Sequence, residues 1–473
     1  MTNERLTGEL AWKIASMIKR GEISAEEYIS LIFDRIEEKN KAVNAYNRLM
    51  KRKALRKARR IDEKLTNGER LGRLPGLGLA VKDNIWVKDV ETTCSSKALL
   101  RYRPPENATV VQRIEDQDGI ILGKANMDEF AAGSGSMKNS CFGAIHNPWD
   151  LTRSPGGSSA GSAAAVASLM ATLAVGSDTG GSIRKPAGFC SILGLKPTYG
   201  LVSRHGLIPF AHTLDSIGPM ARDARDCALL LSVMAGSDPK DATSVRKRSE
   251  DYTKYLVDDI RDMKIAVPIE FFENVEKPVE RAVWRAIYRL EELGATYREV
   301  SIKLLGYARA VYNCVSSVEG FHNLHPYAGK GLQGEVRSRI ILGYSILSRE
   351  KGKLYEDATR VRALLTREFN RVLKEFDAVA GPTNATLPPR LLETAHDALH
   401  RSAADGKIAG ISDSNRAVAN LTGMPAMSLP CGFDQGLPIG LQLMAAKYGE
   451  DLLLRIAYAH QENTDYLKRT PPI

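Results

Sequence analysis

Two serines sit in glycine turns, Ser158 in Gly156-Gly157-Ser158-Ser159 and Ser182 in Asp178-Thr179-Gly180-Gly181-Ser182, and Lys82 closes the apolar run that begins at Gly76. A serine hydroxyl is a weak nucleophile near neutral pH and must pass its proton to a base, directly or through a second hydroxyl. A lysine drawn into an apolar interior loses its preference for the charged form and becomes a neutral amine base, whereas one facing solvent stays an ordinary ammonium. The run ending at Lys82 leaves both orientations open. If the lysine points inward, Lys82 can serve as base, Ser158 as relay and Ser182 as nucleophile. The N–H groups of Thr179, Gly180, Gly181 and Ser182 then face the developing oxyanion, because glycine lets the backbone bend sharply and approach a ligand closely.

Other chemistries fit these residues less well. Neither turn leads into the Gly-Lys-Ser/Thr of a phosphate-binding loop, and GxGxxG is absent here. The histidines are scattered, with His205 and His212 nearest the serine turns, and neither Gly133-Ser134-Gly135 nor Gly161-Ser162-Ala163 has the spacing of a nucleophile elbow. His396 and His400 are spaced as in HExxH, but Asp397 stands where that motif has its glutamate and no third ligand is evident, so no metal site is expected. The six cysteines are dispersed without a CxxC pair, which suits reduced thiols.

The elements that must position these groups belong to a chain of 473 residues, 43% hydrophobic and 26% charged, without an apolar run long enough to span a bilayer. The start at Met1 moves straight into an amphipathic helix marked by Leu10, Ile14 and Ile18, so no secretory signal is expected and the cytoplasm is the predicted location. Ser24-Ala25-Glu26-Glu27 is a capping box ahead of a second helix, with Tyr28, Ile32 and Ile36 on its buried face. Lys51 to Arg60 then packs seven cations into ten residues, either a solvated helix face or a contact for nucleic acid or an acidic protein.

Strands are predicted at 76–82 and 119–124, with an alanine-rich helix at 160–167 between the serine turns. Segments 194–200, 208–209 and 215–219 read as turn-rich from their Gly and Pro content. A helix over 221–235, a charged surface connection over 237–255, and strands at 263–268 and 295–300 around a helix at 279–293 follow. Residues 304–375 read as helical apart from a loop at 329–334. Strands at 376–380, 425–430 and 439–444 and a helix at 451–461 complete an α/β pattern built on a mixed sheet. The simplest organisation is one domain over 1–473, with N-terminal helices in 1–69 and a helical excursion at about 304–375.

Lys82, Gly157-Ser158-Ser159 and Asp178-Thr179-Gly180-Gly181-Ser182-Ile183-Arg184 resemble the amidase signature family, densely over residues 70–235 and more loosely in the C-terminal strands. The resemblance implies a central mixed sheet covered by helices on both faces and a Lys82/Ser158/Ser182 triad with the peptide before Ser158 cis. It also implies amide hydrolysis through an acyl-enzyme, with no cofactor in this chain. Within the family, Lys124 to Phe130, Asn139 to Gly143, Lys196 to Gly200 and Ala235 to Asp241 are similar to the A subunits of tRNA-dependent amidotransferases. That likeness implies a glutaminase that sends ammonia to a B subunit, which uses ATP and Mg to amidate misacylated Asp-tRNA(Asn) or Glu-tRNA(Gln), with a C subunit clasping the pair and no membrane involved.

Arg362 resembles the family's carboxylate-binding arginine, and Asp413 the aspartate that meets the α-amino group of glutamine; Met127 and Tyr327 complete the expected substrate contacts. The chain departs from those proteins in two places: Asn323-Leu324-His325-Pro326-Tyr327-Ala328-Gly329 stands where Phe-Asp-Gly-x-Arg-Tyr-Gly is usual, and the stretch 387–411 is also atypical. A stand-alone amidase for another small amide and a non-catalytic scaffold that binds partners or tRNA are the competing readings.

Overall fold

The computed structural model describes residues 6–133, 140–247, 249–391 and 414–473. Asp413, the His396/His400 pair, Ser134, Gly135 and Asn139 lie outside the described residues. The chain opens with helix α1 (Ala11–Lys19) and helix α2 (Ala25–Val43). Ser24 caps α2 as its capping box requires, its hydroxyl accepting from Glu27 N–H at 3.0 Å. Strand β1 (Tyr46–Leu49) leads to the basic helix α3 (Lys51–Thr66), whose Asp62 carboxylate accepts from Ala25 and Glu26 N–H and so ties α3 to the start of α2.

Next come β2 (Gly78–Lys82), α4 (Thr109–Asp116), β3 (Ile120–Ala125), α5 (Ala160–Ala167), β4 (Leu173–Asp178), α6 (Arg184–Cys190), β5 (Leu193–Lys196), β6 (Ser216–Ala221) and α7 (Ala224–Met234). The second half adds β7 (Lys264–Pro268), α8 (Lys277–Glu292), β8 (Thr296–Val300), α9 (Leu305–Leu324), α10 (Gly334–Ser348), α11 (Lys353–Val372) and β9 (Ala378–Pro382). It closes with α12 (Ser414–Thr422), β10 (Ala426–Asp434), β11 (Leu437–Ala445) and α13 (Glu450–Glu462).

One sheet of 11 strands runs through the described residues in the order β1-β3-β2-β4-β6-β5-β10-β11-β9-β7-β8. Parallel pairs join β2 to β3 and β4, and β7 to β8 and β9; the remaining neighbours are antiparallel, so the sheet is mixed. Both faces are covered, and the alternation along the strands shows why. Ala378 and Ala380 enter one apolar core and Val379 the other; Ile265 and Val267 divide from Ala266, and Leu443 and Ala445 from Met444, in the same way. A strand with apolar residues on both sides has no solvent face to present. The second core is built largely from α9, α11 and the residues around Phe210.

Segments 194–200 and 215–219, expected as turns, contain the strands β5 and β6. Their glycines answer to crowding rather than to bending. A Cβ on Gly218 would lie 2.0 Å from the Leu195 carbonyl oxygen, and one on Gly194 would lie 2.7 Å from Ala187 of α6. Pro219 pairs with Val175 of β4 but lies beyond the β5–β6 ladder, which holds only the pairs at Leu193 and Gly194, so proline's missing N–H is no loss on that side. The helix expected from 221 begins instead at Ala224, where the Asp223 carboxylate accepts from Asp226 N–H at 2.7 Å. No helix of the described residues is long and apolar enough to cross a membrane.

Gly218→Ala is expected to destabilise the protein by about 2–3 kcal/mol, the cost of forcing a methyl into a packed interior, because the obstructing atom is backbone. Chemical denaturation should show a lowered midpoint; an unchanged midpoint would refute the close-packing account of β6.

Candidate active site

Lys82 is the last residue of β2, flanked by β3 on one side and β4 on the other, and it is fully buried. Its Nζ lies 2.7 Å from Ser158 Oγ, 2.9 Å from Ser177 Oγ and 3.1 Å from the Ser177 carbonyl oxygen. The carbonyl can only accept, and Ser177 Oγ already receives the Asn84 amide at 3.0 Å. A neutral amine has two N–H bonds and one lone pair, so in that form Lys82 would donate to the two Ser177 oxygens and leave its lone pair for the Ser158 hydroxyl proton. Burial pushes the Lys82 ammonium down to about 7, although the charges of Asp128, Asp178 and Asp215 pull it back up.

Ser158 follows a cis peptide from Gly157 and is also fully buried. The chain then enters α5, a helix whose eight residues are all buried and small. Close packing accounts for that composition: a Cβ on Gly161 would lie 2.3 Å from the Ala45 carbonyl oxygen. Ser159 ties the helix start to both neighbours, its hydroxyl donating to the Ser177 carbonyl at 3.0 Å and its N–H to the Ser182 carbonyl at 3.1 Å. Ser182 keeps 8% exposure while Ser158 and Lys82 keep none.

The turn carrying Ser182 is fixed by a buried ion pair. Asp178 Oδ1 accepts from Arg184 Nη2 at 3.0 Å and Oδ2 from Arg184 Nε at 3.1 Å. Arg184 places its other N–H groups on the Arg416 carbonyl, Gln442 Oε1 and Asn420 Oδ1. Burial alone would raise the Asp178 carboxyl, but the Arg184 charge and these bonds hold it well below the usual carboxylate range.

Asp178 also accepts from Gly181 N–H at 2.7 Å and Ile183 N–H at 3.1 Å. Gly181, expected to aim its N–H at an oxyanion, therefore spends it on this carboxylate, because the turn wraps back over Asp178. Thr179, Gly180 and Ser182 donate their N–H groups to no acceptor among the described residues. The Thr179 hydroxyl is held by Asp215 at 2.5 Å, and a Cβ on Gly180 would fall 2.5 Å from the Tyr312 hydroxyl oxygen, so the α9 tyrosine closes over the turn.

Arg362, on α11, reaches the same neighbourhood. Its Nε donates to the Leu421 carbonyl at 2.7 Å, and its two Nη groups donate to Thr213 Oγ1 at 2.8 Å and the Thr213 carbonyl at 3.0 Å. The residue before Leu421, Asn420, donates to the Asp178 carbonyl at 3.0 Å and its carboxylate at 2.9 Å, so one helix, α12, links the arginine to the serine turn. Met127 is buried, its N–H donating to Ser95 Oγ and Asn126 Oδ1. Tyr327 packs on Phe130 with ring centroids 4.9 Å apart. His205 faces Glu106 and His212 faces Glu319; neither bonds to Ser158 or Ser182.

Sequence reasoning missed Ser177, Asn84 and Asp215 as partners of the site. Ser177 carried a usable signal: a hydroxyl at the end of an otherwise apolar strand, beside Asp178, needs a buried polar partner. Asp215 carried none, lying in a segment read as a turn.

An amidase family model matches residues 27–454. The chain belongs to the amidase family. Among its amidase relatives it is 43% identical over 486 residues to the A subunit of the glutamyl-tRNA(Gln) amidotransferase of Moorella thermoacetica, with 98% of each chain covered. It is 41% identical to the protein of the same name from Clostridium botulinum, covering 98% of this chain and 99% of the other. A solved structure of the Thermotoga maritima protein of that name superposes with a TM-score of 0.82 at 35% identity, covering 97% of this chain and 95% of that one. The peptide amidase of Stenotrophomonas maltophilia superposes with a TM-score of 0.79 at 28% identity, covering 98% of each.

A depressed lysine makes a pH-dependent stability difference whose sign follows from proton binding. Between about 7 and the ordinary lysine range the unfolded chain binds a proton that the folded chain does not, so stability rises with pH in that window. Denaturation of the wild type and Lys82→Met should therefore show the wild type gaining on the variant between about pH 7 and 9.5, and a constant gap below the window. The buried Lys124 and Lys196 cancel in the comparison. A gap that stays flat up to the top of that range would show that Lys82 is held as an ammonium.

Proposed function

We propose that this chain is the glutamine-hydrolysing A subunit of a tRNA-dependent amidotransferase, with Lys82, Ser158 and Ser182 as its catalytic residues. The observation that carries this reading is the buried 2.7 Å contact between Lys82 Nζ and Ser158 Oγ, in a chain 43% identical over nearly its whole length to a glutamyl-tRNA(Gln) amidotransferase A subunit. Ser182 Oγ attacks the side-chain amide carbon of glutamine as its proton moves to Ser158 and the Ser158 proton moves to Lys82. The N–H groups of Thr179, Gly180 and Ser182 stabilise the oxyanion, and Gly181 contributes by holding the turn on Asp178. Collapse of the tetrahedral intermediate returns a proton to the leaving nitrogen and releases ammonia. Water then attacks the acyl-enzyme by the same relay run with Lys82 as base, releasing glutamate.

Arg362 would hold the glutamine carboxylate, Asp413 the α-amino group, and Met127 and Tyr327 the side of the pocket. The partners are B and C subunits and, through them, misacylated tRNA; ATP and Mg belong to the B subunit, and the complex works in the cytoplasm. The variant stretch 323–329 supports a second reading, a stand-alone amidase. There α9 runs to Leu324 and Asn323 Nδ2 donates to the Phe210 carbonyl at 3.1 Å, so a different wall is built rather than a gap left.

Ammonia release by the purified chain, with and without B and C subunits, separates the two readings. Ser182→Ala should lower kcat/KM for glutamine by about 10⁴-fold or more, and wild-type turnover by this variant would remove the nucleophile. Because only the neutral amine takes a proton, kcat/KM should rise with pH and level off above about 7. Efficient hydrolysis of unrelated amides with none of glutamine would favour the stand-alone amidase. Arg362→Ala should raise KM for glutamine at least about ten-fold while leaving KM for a neutral amide nearly unchanged; equal effects would remove its carboxylate role.

A further inference from the structure

The cations of α3 and those around α4 form one surface. A cavity of about 390 Å³ is lined by Lys53, Arg56 and Arg60 of α3 together with Glu115 of α4. A second, of about 600 Å³, begins at the next residue, Asp116, and is lined by Arg73, Arg113, Arg246 and Lys247. The C-terminal turn of α4 is thus the wall between two basic hollows. Burial, and then the neighbouring charges of Arg73 and Arg70, push the Lys19 ammonium below its ordinary value, so cations crowd one another at this edge.

Neutralisation is uneven across this face. Lys51 pairs with Glu37, Arg59 with Glu26, Lys64 with Asp118, Arg73 with Asp251 and Lys247 with Glu250. Arg52, Lys53, Arg56, Arg60, Arg70 and Arg246 have no carboxylate partner among the described residues. Arg113 donates to the neutral carbonyls of Met234, Gly236 and Ser237 rather than to a carboxylate. Arg52, Arg56 and Arg60 recur every fourth residue, a rise of about 6 Å per step along the helix, comparable to the distance between successive backbone phosphates. Guanidinium groups match phosphate oxygens two at a time. The most exposed apolar side chains, Ile341, Tyr344 and Tyr307, stand on α9 and α10 instead, so this face lacks the apolar centre that a protein interface requires.

We propose that this continuous basic face, from Arg52 on α3 to Arg246 beside α4, binds the phosphate backbone of an RNA directly. The choice of RNA among polyanions rests on the amidotransferase reading. Substrate RNA would then be held by this chain as well as by its partner subunits, through charge and helix spacing rather than base contacts. Such binding weakens linearly in log–log form as salt rises, by roughly 0.9 per phosphate contacted in duplex regions.

The test is fluorescence anisotropy of a labelled tRNA transcript with the purified full-length chain between about 50 and 300 mM salt, a range over which screening of exposed charges tightens, with polyglutamate as a second probe. Arg56→Ala/Arg60→Ala should weaken RNA binding about ten-fold or more at the lowest salt and make the salt slope shallower by about 2, one per lost phosphate contact. Arg246→Ala should act in the same direction, and Arg59→Ala, which removes a cation already paired, should leave binding near wild type. Wild-type binding by the double variant, or an equal loss with Arg59→Ala, overturns the proposal. Polyglutamate binding as tightly as the transcript and displacing it also overturns it, in favour of an acidic protein. Glutamine hydrolysis is measured on the same preparations with B and C subunits added: RNA binding with this variant pattern but no glutaminase even in the complex would sink the functional reading alone, and normal glutaminase without RNA binding would sink this one alone.

Discussion

Everything at the site hangs on the buried pair between Asp178 and Arg184. Each partner is fully buried, and neither is tolerable there without the other; removing one side of such a pair costs about 3–5 kcal/mol because the remaining charge is stranded. What makes the pair viable is the completeness of its hydrogen bonding. Arg184 reaches α12 at Arg416 and Asn420 and the sheet at Gln442, while Asp178 collects the N–H groups of Gly181 and Ile183. A turn that would otherwise be a flexible glycine loop is thereby bolted to the C-terminal end of the chain. Preorganisation of the Ser182 turn is a consequence of where this charge pair sits.

The lysine depends on a different constraint, complete burial. Lys82 stands on β2 between two parallel neighbours, with α5 laid across them, and α5 can lie that close because it is built from Ala, Gly and Ser with a single Val. The helix brings little side-chain volume to where it crosses the strands, and serines at its start and within it bond to strand carbonyls, Ser159 to Ser177 and Ser162 to Val175. Dry surroundings lower the cost of the neutral amine relative to the ammonium. The two constraints are complementary: the Asp178 charge is kept because Arg184 pairs it, while burial without such a partner lowers the Lys82 ammonium toward neutrality.

Much of this was legible in the sequence, and the illegible parts share a cause. Periodicity located α2 and α8, whose buried faces their own residues define, and continuous apolar runs located β2, β3 and β7; the helices between 304 and 375 and β8 were also placed. It misread β5 and β6, where glycine is present to admit Leu195 and Ala187 rather than to make a turn, and that reason exists only in three dimensions. The same holds for α6, whose Arg184, Pro186 and Gly188 carry no helical pattern, and for β1, a four-residue edge strand. At the site, the glycine turns and Lys82 stood out as residue types in an unusual setting. The orientation of Lys82 did not, since an apolar strand ending in lysine is compatible with either face. Ser177 could be seen to need a buried polar partner but not that the partner is Lys82, and Asp215 acts through a contact with Thr179 that no local spacing announces.

Burial gives the proposed reaction a direction: Ser182 keeps a small exposure while Ser158 and Lys82 keep none. In that scheme the amide would arrive at Ser182 and the proton would leave toward the buried Lys82, 2.7 Å from Ser158 Oγ. Arg362 fits the same scheme from the substrate side. Of the five N–H groups on its guanidinium, the Leu421 carbonyl and the Thr213 oxygens engage one on each nitrogen. One N–H on each Nη is left without an acceptor among the described residues. Because Leu421 follows Asn420 in α12, and Asn420 grips Asp178, the distance between a carboxylate at Arg362 and the Ser182 turn would be set through the same hydrogen bonds that hold the turn itself. A substrate whose carboxylate and amide carbon are separated by a fixed number of bonds would be measured by that connection, so selection by length and nucleophile placement follow from a single piece of structure.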